Sequence, residues 1–331
     1  TCSSTETLAD TFTYTATEIC TATETPSFTL TFTITETATI TCTGTNTPVY
    51  PYINSWGGSG TGDGQFNSPN GISIGAGMIF VADSGNNRMQ RFGYDGEYLS
   101  QTGTAGSDYC QYSNPKEVFF VPNIGFLLIS DTYNQRIQEM TPLGTFLLAW
   151  GSYGETDGLF KNPMGISCSV DGCLIYVADY LNHRIQVFSR SGDYITKFGS
   201  SGGGDGEFNG PVDIATNMTT GDIYVADSMN NRIQKFNSDY VFQCKWSSYG
   251  ATNISNPQSL AVGPDGSVFV CDTGNNKVVK FDGNGNYICS WGSLGSNPGQ
   301  FSYPAGIVVD EYGAVYVVDS NNARVQKFGY E

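Results

Sequence analysis

Six near-copies of one phrase recur along most of this 331-residue chain. The copies read IFVADSGNNRMQRF, LLISDTYNQRIQEM, IYVADYLNHRIQVF, IYVADSMNNRIQKF, VFVCDTGNNKVVKF and VYVVDSNNARVQKF. Their aspartates follow one another at intervals of 48, 48, 48, 45 and 47 residues and are Asp83, Asp131, Asp179, Asp227, Asp272 and Asp319. A strand-rich repeat with a period in the forties is typical of a β-propeller, in which each repeat forms one blade. The sequence therefore predicts an all-β fold with a six-bladed propeller over residues 49–331.

The two ends of the repeat region predict how the ring closes. Blades 4 and 5 end in the outer-strand sequences FQCKWSS and YICSWGS, whereas blade 6 stops at KFGYE. The missing counterpart, YINSWGG, stands at residues 52–58. We therefore expect an N-terminal strand to complete blade 6, which hides edges that would otherwise pair with other chains.

Residues 1–48 differ from the repeats and form a second predicted domain. Threonine occupies 20 of the first 50 positions, and every one of the 20 is odd-numbered. Because side chains alternate between the two faces of an extended strand, this spacing predicts an extended β segment with one threonine face. The predicted assembly strand includes Thr11, Phe12, Thr13, Tyr14, Phe28, Leu30, Phe32, Ile34 and Ile40.

Three interpretations of this segment remain open. One is pairing with a neighbouring molecule, because forty extended residues reach about 130 Å at ~3.3 Å each, and strand donation that does not close builds filaments. Another is an O-glycosylated stalk, since threonine-rich tracts with proline are mucin-like. The third is packing against the propeller of the same chain. Candidate O-glycosylation sites are Thr29, Thr31, Thr33, Thr35, Thr37, Thr39 and Thr41.

The charge balance excludes two classes of partner. Fifteen lysines and arginines against 31 aspartates and glutamates give a net charge of −16. Such a surface repels phosphate backbones and anionic lipids, so we expect no nucleic-acid binding. We also expect no membrane insertion, because no run of about 18 apolar residues occurs.

Nine cysteines and two sequons favour an extracellular or cell-surface location. Cys168 and Cys173 flank a four-residue turn, which predicts a disulfide across a hairpin. The odd total leaves at least one cysteine without an intramolecular partner. Asn217 and Asn253 begin the sequons and are N-glycosylation candidates. The sequence leaves open how the remaining cysteines pair, among them Cys2, Cys20, Cys42, Cys110, Cys244 and Cys289.

The repeated aspartates are interpreted as structural turn residues. Each begins an Asp-x-x-Asn-x-Arg/Lys pattern, and a catalytic site does not need six copies. Aspartate and asparagine accept backbone N–H groups in tight turns, and we expect the basic residue to pair with a carboxylate between blades.

His183, the only histidine, takes the place of Asn87 or Gln135 in other repeats. One histidine rules out a multi-histidine zinc site, and the sequence predicts no metal and no cofactor.

The first half of each repeat completes a resemblance to a known family. It reads GDGQFNSPNGISI, TDGLFKNPMGISC, GDGEFNGPVDIAT and NPGQFSYPAGIVV in four blades. With the aspartate phrase it resembles the NHL repeat over residues 53–328, although blade 2, GSDYCQYSNPKEVFF, loses the Gly-x-Phe and Gly-Ile.

Related enzymes, the amidating lyases of peptide hormones, bind metal through histidines that this chain lacks. We therefore predict that the chain is not an enzyme. RNA-binding members use a basic face, which is not expected here.

Together these patterns predict an extracellular structural protein whose propeller assembles with copies of itself into a head-to-tail filament through the threonine-rich strand, which carries glycan. The alternative is a monomeric binding module, a propeller on an O-glycosylated stalk. Its tyrosine-rich loops would recognise protein or carbohydrate.

Overall fold

A computed structural model describes residues 50–329 and confirms the predicted six-bladed all-β propeller. Each blade is a four-stranded antiparallel sheet, and the first strands of the six blades contact one another around a central axis. The second strands are buried on both faces, which explains their continuous apolar sequences. The outer strands alternate between more and less exposed residues, as expected for sheets that face solvent on one side.

The strands follow in chain order. The chain begins with β1 (Tyr52–Gly57), and blade 1 contains β2 (Ile72–Gly75), β3 (Met78–Asp83), β4 (Arg88–Phe92) and β5 (Tyr98–Thr102). A short pair, β6 (Thr104–Ala105) and β7 (Gln111–Tyr112), leads into blade 2, which contains β8 (Glu117–Val121), β9 (Phe126–Asp131), β10 (Arg136–Met140) and β11 (Phe146–Trp150). Blade 3 contains β12 (Pro163–Cys168), β13 (Leu174–Asp179), β14 (Arg184–Ser189) and β15 (Tyr194–Phe198).

The second half of the ring repeats this plan. Blade 4 contains β16 (Pro211–Thr216), β17 (Ile223–Asp227), β18 (Arg232–Phe236) and β19 (Phe242–Trp246). A second short pair, β20 (Ser248–Tyr249) and β21 (Thr252–Asn253), precedes blade 5, which contains β22 (Pro257–Val262), β23 (Val268–Asp272), β24 (Lys277–Phe281) and β25 (Tyr287–Trp291). Blade 6 contains β26 (Pro304–Val309), β27 (Val315–Asp319) and β28 (Arg324–Phe328). Single 3-10 turns join the second and third strands at Ser84–Asn86, Thr132–Asn134, Tyr180–Asn182, Ser228–Asn230, Thr273–Asn275 and Ser320–Asn322.

Blade 6 takes its outer strand from the start of the described chain. Strand β1 pairs antiparallel with β28, with Trp56 opposite Val325 and Ser55 opposite Gln326. The N-terminal YINSWGG sequence thus occupies the outer position that the sequence leaves vacant in blade 6. No described helix is long and apolar enough to span a membrane.

Six apolar cores, one between each pair of adjacent blades, hold the ring together. The core between blades 3 and 4, for example, joins Tyr176 and Val187 of one blade to Phe208 and Phe236 of the next. The tryptophans of the outer strands belong to these cores. Trp246 stacks at a tilt on Phe281, with 5.7 Å between ring centroids. Burial of these large aromatic surfaces is the main driving force for closing the ring.

A repeated polar network fixes the turn of each blade. In blade 4 the buried carboxylate of Asp227 accepts hydrogen bonds from the backbone N–H of Asn209 (2.7 Å), the Asn230 amide (2.9 Å) and the Gln234 amide (3.1 Å), and it pairs with Nε of Arg232 (2.6 Å). Asp83, Asp131, Asp179 and Asp319 make the same set of contacts. The arginine therefore pairs within its own repeat and not between blades as the sequence analysis expected, because it lies directly opposite the aspartate on the neighbouring strand.

A second set of side chains connects five of the six blades to the blade that follows. The residue four positions after the aspartate adopts a left-handed backbone conformation, and in five blades its side chain accepts a backbone N–H from the following blade. Nδ1 of His183 accepts the N–H of Gly210 in this way at 3.0 Å. His183 is thus a turn residue that carries an inter-blade hydrogen bond. The sixth position is Ala323, which has no side-chain acceptor, so the junction between blades 6 and 1 lacks this bond.

Replacing Ala323 by asparagine is expected to raise the free energy of unfolding by about 1 kcal/mol. Ala323 has φ 51°, a conformation that asparagine adopts more readily than alanine, and the new amide oxygen would face the N–H of Ser68, as Asn87 faces Asn114. Denaturant unfolding of the two proteins measures the change. Ala323→Gly is the matched control, because it relieves the backbone without adding an acceptor. Equal stability of the glycine and asparagine variants would contradict the proposed hydrogen bond.

The predicted disulfide between Cys168 and Cys173 is wrong. Ser169 and Leu174 close the hairpin, so Cys168 lies opposite Ile175 and Cys173 falls inside the turn. Cys168 is buried in the core between blades 2 and 3, while Cys173 is exposed to solvent. Burial raises the pKa of the Cys168 thiol to about 12. In the part of the chain that the structure describes, six cysteines are free thiols: Cys110, Cys168, Cys173, Cys244, Cys271 and Cys289.

Candidate functional site

The predicted assembly strand and its O-glycosylation candidates lie outside the described residues, as do Cys2, Cys20 and Cys42. These residues stay predictions.

The two N-glycosylation candidates lie in the described part of the chain, and their side chains differ in exposure to solvent. Asn217 is buried, and its side-chain oxygen accepts the N–H groups of Thr219 and Thr220 in a tight turn. Asn253 is exposed in the short strand β21. The geometry favours Asn253 as the modifiable site of the two.

The outer edges of the blades are one candidate interaction surface. In residues 50–329 no strand pairs with the outer edge of β1, β5, β11, β15, β19 or β25. Corresponding positions of β5, β11 and β15 carry apolar side chains on the solvent-facing side, where Leu99, Leu147 and Ile195 are 45%, 48% and 49% exposed, whereas β19 has Gln243 at this position. An edge strand with free backbone groups and exposed apolar side chains is a template for pairing with another strand.

A pocket on the propeller axis is the second candidate site. It has a volume of about 420 Å³ and opens at the end of the axis where the six inner strands begin. The residue after the proline of each repeat lines it, so one side chain comes from each blade: Asn70, Lys116, Met164, Val212, Gln258 and Ala305. Tyr180 and Tyr303, from blades that face each other across the ring, also line it. Because six strands converge here, residues far apart in sequence meet around one small volume.

The next ring of residues along the axis forms the floor of this axial pocket. Blades 1, 3 and 6 have glycine at this level, whereas the other three have Glu117, Asp213 and Ser259. The backbones approach so closely that a Cβ on Gly165 would lie 2.5 Å from Cα of Asp213. Below this ring a second cavity of about 200 Å³ continues along the axis. Glu117 borders both cavities.

The axial pocket and the cavity below it together form a channel along the axis. Glu117 and Asp213 form a pair of carboxylates in this channel. One oxygen of Glu117 accepts the N–H of Val118 at 2.9 Å, and Asp213 accepts N–H groups from Ile214 and from Leu260 of the next blade, both at 2.8 Å. Burial raises the pKa of Asp213 to about 6. Burial, and then the nearby charge of Asp213, raises the pKa of Glu117 well above its usual range. The channel thus holds an acid that keeps its proton at a higher pH than an exposed glutamate does.

Lys116 is the basic residue of the axial pocket. Within residues 50–329 its ammonium group pairs with no carboxylate, whereas most of the other lysines and arginines form ion pairs with aspartate or glutamate. Burial lowers the pKa of Lys116, and no neighbouring negative charge opposes this. An ammonium group without a protein partner leaves its three hydrogen-bond donors for water or a ligand.

No pattern in the sequence predicted a role for Lys116, Glu117 or Asp213. The sequence did contain one sign of these residues, which is a departure from the repeat. Glu117 and Asp213 occupy the position at which blades 1, 3 and 6 have the glycine of Pro-x-Gly. The six repeated aspartates, which were singled out, lie buried in their turns and away from this pocket. Among the described residues, no group of three histidine, cysteine, aspartate or glutamate side chains is arranged to hold a metal ion.

Comparisons with known proteins agree with the geometry. Residues 66–92, 255–281 and 301–328 match the NHL repeat family, and residues 156–245 match a family described as a 6-bladed beta-propeller. No curated protein shows a significant match. Among solved structures, a streptogramin B lyase is 15% identical with a TM-score of 0.59, covering 85% of this chain and 98% of the lyase. An auxiliary nutrient binding protein from Bacteroides thetaiotaomicron is also 15% identical with a TM-score of 0.60, covering 80% of this chain and 70% of that protein.

These neighbours correct the prediction that the chain is not an enzyme. Lyases occur among the proteins that share this fold, including virginiamycin B lyase from Staphylococcus aureus at 14% identity and a TM-score of 0.56. The prediction relied on the lack of histidines, but a propeller brings polar side chains from separate strands to one axis. Carboxylates such as Glu117 and Asp213 therefore meet there without any histidine. At these identities the similarity establishes the fold alone. Three of the six repeats thus match the NHL repeat family, and the described chain folds as a six-bladed β-propeller.

Proposed function

We propose that this chain is an extracellular propeller subunit that assembles with copies of itself through its threonine-rich N-terminal segment. One molecule would donate the segment as a strand to the outer edge of a blade in the next molecule. Donor and acceptor are different surfaces, so the contact is heterologous and produces an open head-to-tail filament unless the rotation closes a ring. The observation that carries the proposal is the combination of open blade edges with a strictly alternating strand sequence in the same chain.

The blade edges supply what an added strand needs. Their backbone N–H and C=O groups are free of pairing within the described residues, and Leu99, Leu147 and Ile195 offer apolar contacts on the solvent-facing side. An added strand that presented its own apolar residues on that side would bury both sets. Each cross-strand pair of this kind contributes roughly 0.2–1 kcal/mol.

The threonine-rich segment has the matching pattern. Phe28, Leu30, Phe32 and Ile34 are even-numbered, so they project from one face of an extended strand while threonines project from the other. The alternation therefore allows the apolar face to contact the blade while the threonine face remains in water. Hydroxyl groups on that face are available for O-linked sugar, which is consistent with the proposed extracellular location.

The propeller also anchors the beginning of its own closing strand firmly. Tyr50 stacks on Trp291 with 4.6 Å between ring centroids, and its hydroxyl accepts a hydrogen bond from Nζ of Lys280 at 2.9 Å. A force applied to the residues before Tyr50 would therefore be distributed over blades 5 and 6. Such an anchor suits a subunit that is linked to its neighbours through its N terminus.

Deleting residues 1–47 is expected to abolish assembly while leaving the propeller folded. Negative-stain electron microscopy and sedimentation velocity would compare the full chain, the truncated chain and a matched control in which residues 1–47 are shuffled. The shuffled segment keeps its length, composition and charge but loses the period of two. Filaments from the full chain alone would support strand donation.

Two outcomes would contradict the proposal. If the full chain forms only single particles, self-assembly is wrong, and the alternative of a monomeric module that binds protein or carbohydrate becomes the working hypothesis. If the shuffled chain forms filaments as well as the native one, the alternation is not what drives assembly. Tryptophan fluorescence and thermal unfolding would verify that the propeller is intact in all three proteins.

A further inference from the structure

We propose that the axial pocket binds a small polyhydroxylated carboxylate, the chemical class of the sugar acids, with Lys116 as the residue that contacts the carboxylate. This inference does not depend on the assembly proposed above. It rests on the size of the pocket, on the single unpaired cation in it and on the kinds of side chains that surround that cation.

The pocket is large enough for a sugar-sized ligand and is enclosed on several sides. Its volume of about 420 Å³ lies within the usual range of small-molecule sites. Six blades contribute to its wall, and the close-packed ring of Gly71, Glu117, Gly165 and Asp213 narrows the channel below it. A ligand entering from the open end would therefore stop at Glu117 and lie against the side chains of the wall.

The charge of the pocket selects an anion of low charge. Lys116 lines the wall and has no carboxylate partner within residues 50–329. A single ammonium group matches one carboxylate, and a partly desolvated pair of this kind is stronger than one in open water. A phosphate ester with two charges would find no second cation in the pocket lining to pair with its second charge. The protein as a whole carries −16, so an isolated lysine in a cavity is a specific feature and not part of a general basic surface.

The neutral groups of the wall suit hydroxyls. The side chains of Asn70 and Ser320 line the pocket and form no hydrogen bond with any described residue, so both can donate to and accept from a ligand. Nε2 of Gln258 donates to Asn256 at 2.8 Å, which leaves Oε1 of Gln258 free to accept. These groups come from different blades and therefore surround a ligand rather than contact one side of it.

Two features complete the fit to a sugar ring. Tyr180 and Tyr303 line the pocket from blades 3 and 6 and present aromatic surface together with hydroxyl groups. Amphipathic rings of this kind contact the apolar faces of sugars while their hydroxyls bond to polar edges. At the floor, Glu117 holds its proton to a higher pH than usual, because burial and Asp213 raise its pKa. The raised pKa reduces the repulsion between Glu117 and an anionic ligand.

The test measures binding of defined probes to the full chain by isothermal titration calorimetry and by ligand-detected NMR. The probes are galacturonate and glucuronate as monomers and dimers, their neutral counterparts galactose and glucose, acetate, and inorganic phosphate. We expect saturable binding of at least one uronate that is tighter than binding of its neutral counterpart, of acetate and of phosphate. Lys116→Gln should weaken the binding of that uronate by about tenfold or more, corresponding to about 1.4 kcal/mol.

Lys277→Gln is the matched control. Lys277 also lacks an ion pair among the described residues, but it lies outside the pocket, so its replacement should leave the affinity unchanged. Unfolding curves would establish that both variants are folded. The proposal is overturned if no uronate binds saturably at millimolar concentration, or if Lys116→Gln and Lys277→Gln bind the uronate equally well. Tighter binding of phosphate than of every uronate would overturn the assigned ligand class.

Discussion

Replacing Asp227 by alanine is expected to lower the free energy of unfolding by about 3–5 kcal/mol. The carboxylate accepts four hydrogen bonds, and its loss leaves the buried guanidinium of Arg232 without its counter-charge. Arg232 remains held in place by the carbonyl groups of Gly203, Gly204 and Glu207, so it does not swing out to solvent. Urea unfolding followed by tryptophan fluorescence measures the change.

The chain offers an internal comparison for this prediction. In blade 5 the basic residue is Lys277, which does not bond to Asp272, and the hydroxyl of Tyr249 donates to that aspartate at 2.7 Å instead. Asp272→Ala leaves unpaired donors but no buried cation, so we expect a smaller loss, of about 1–3 kcal/mol. Asp239→Ala, at an exposed position, is the control for loss of a charge. An equal loss in blades 4 and 5 would show that the buried arginine is not the source of the effect.

Asp213 by itself is expected to lower the free energy of unfolding by about 3 kcal/mol as pH rises from about 4 to about 6. The pKa of Asp213 is raised from 3.8 to about 6 in the folded protein because the group is buried. Between these values the folded state holds a proton that the unfolded state has released, so raising the pH favours unfolding. The raised pKa of Glu117 acts in the same direction. Urea unfolding at a series of pH values gives the profile.

Removing the two axial carboxyl groups should flatten this profile. The variant is Glu117→Gln combined with Asp213→Asn, which keeps the shape of both side chains. The control combines Glu97→Gln with Asp239→Asn, which removes two charges at exposed positions and leaves the axial pair intact. If the two double variants have the same pH profile, the decline arises from the general negative charge of the protein and not from the channel.

The sequence predictions that relied on many repeats were more accurate than those that relied on one. Six copies of the aspartate phrase predicted the same strands and turns six times, so the fold was predicted correctly. The burial of Asp83 and its counterparts agrees with a structural role. The disulfide between Cys168 and Cys173 relied on one hairpin. A shift of one residue in the closing pair, to Ser169 and Leu174, was enough to separate the two thiols. Register depends on turn geometry, which sequence spacing alone does not specify.

The axial pocket could not be predicted in the same way. Lys116 and Gln258 are 142 positions apart (258 − 116) in the sequence and face the same cavity only because blades 2 and 5 lie opposite each other in a closed ring. A repeat pattern describes what the blades have in common, while this pocket is made of the residues in which they differ. The departures from glycine at Glu117 and Asp213 were visible in the sequence, but their convergence was not.

The sequence by itself determined the number of blades, the strands within them and the turn residues, because each of these depends on contacts within one repeat or between adjacent repeats. Only the tertiary structure decided which side chains share the axis, which thiols remain apart and which carboxyl groups have raised pKa values. These properties depend on distances between strands that are remote in the chain and on how far each group is removed from water. Such distances are fixed when the ring closes, and burial at the axis then shifts the pKa values of Lys116, Glu117 and Asp213.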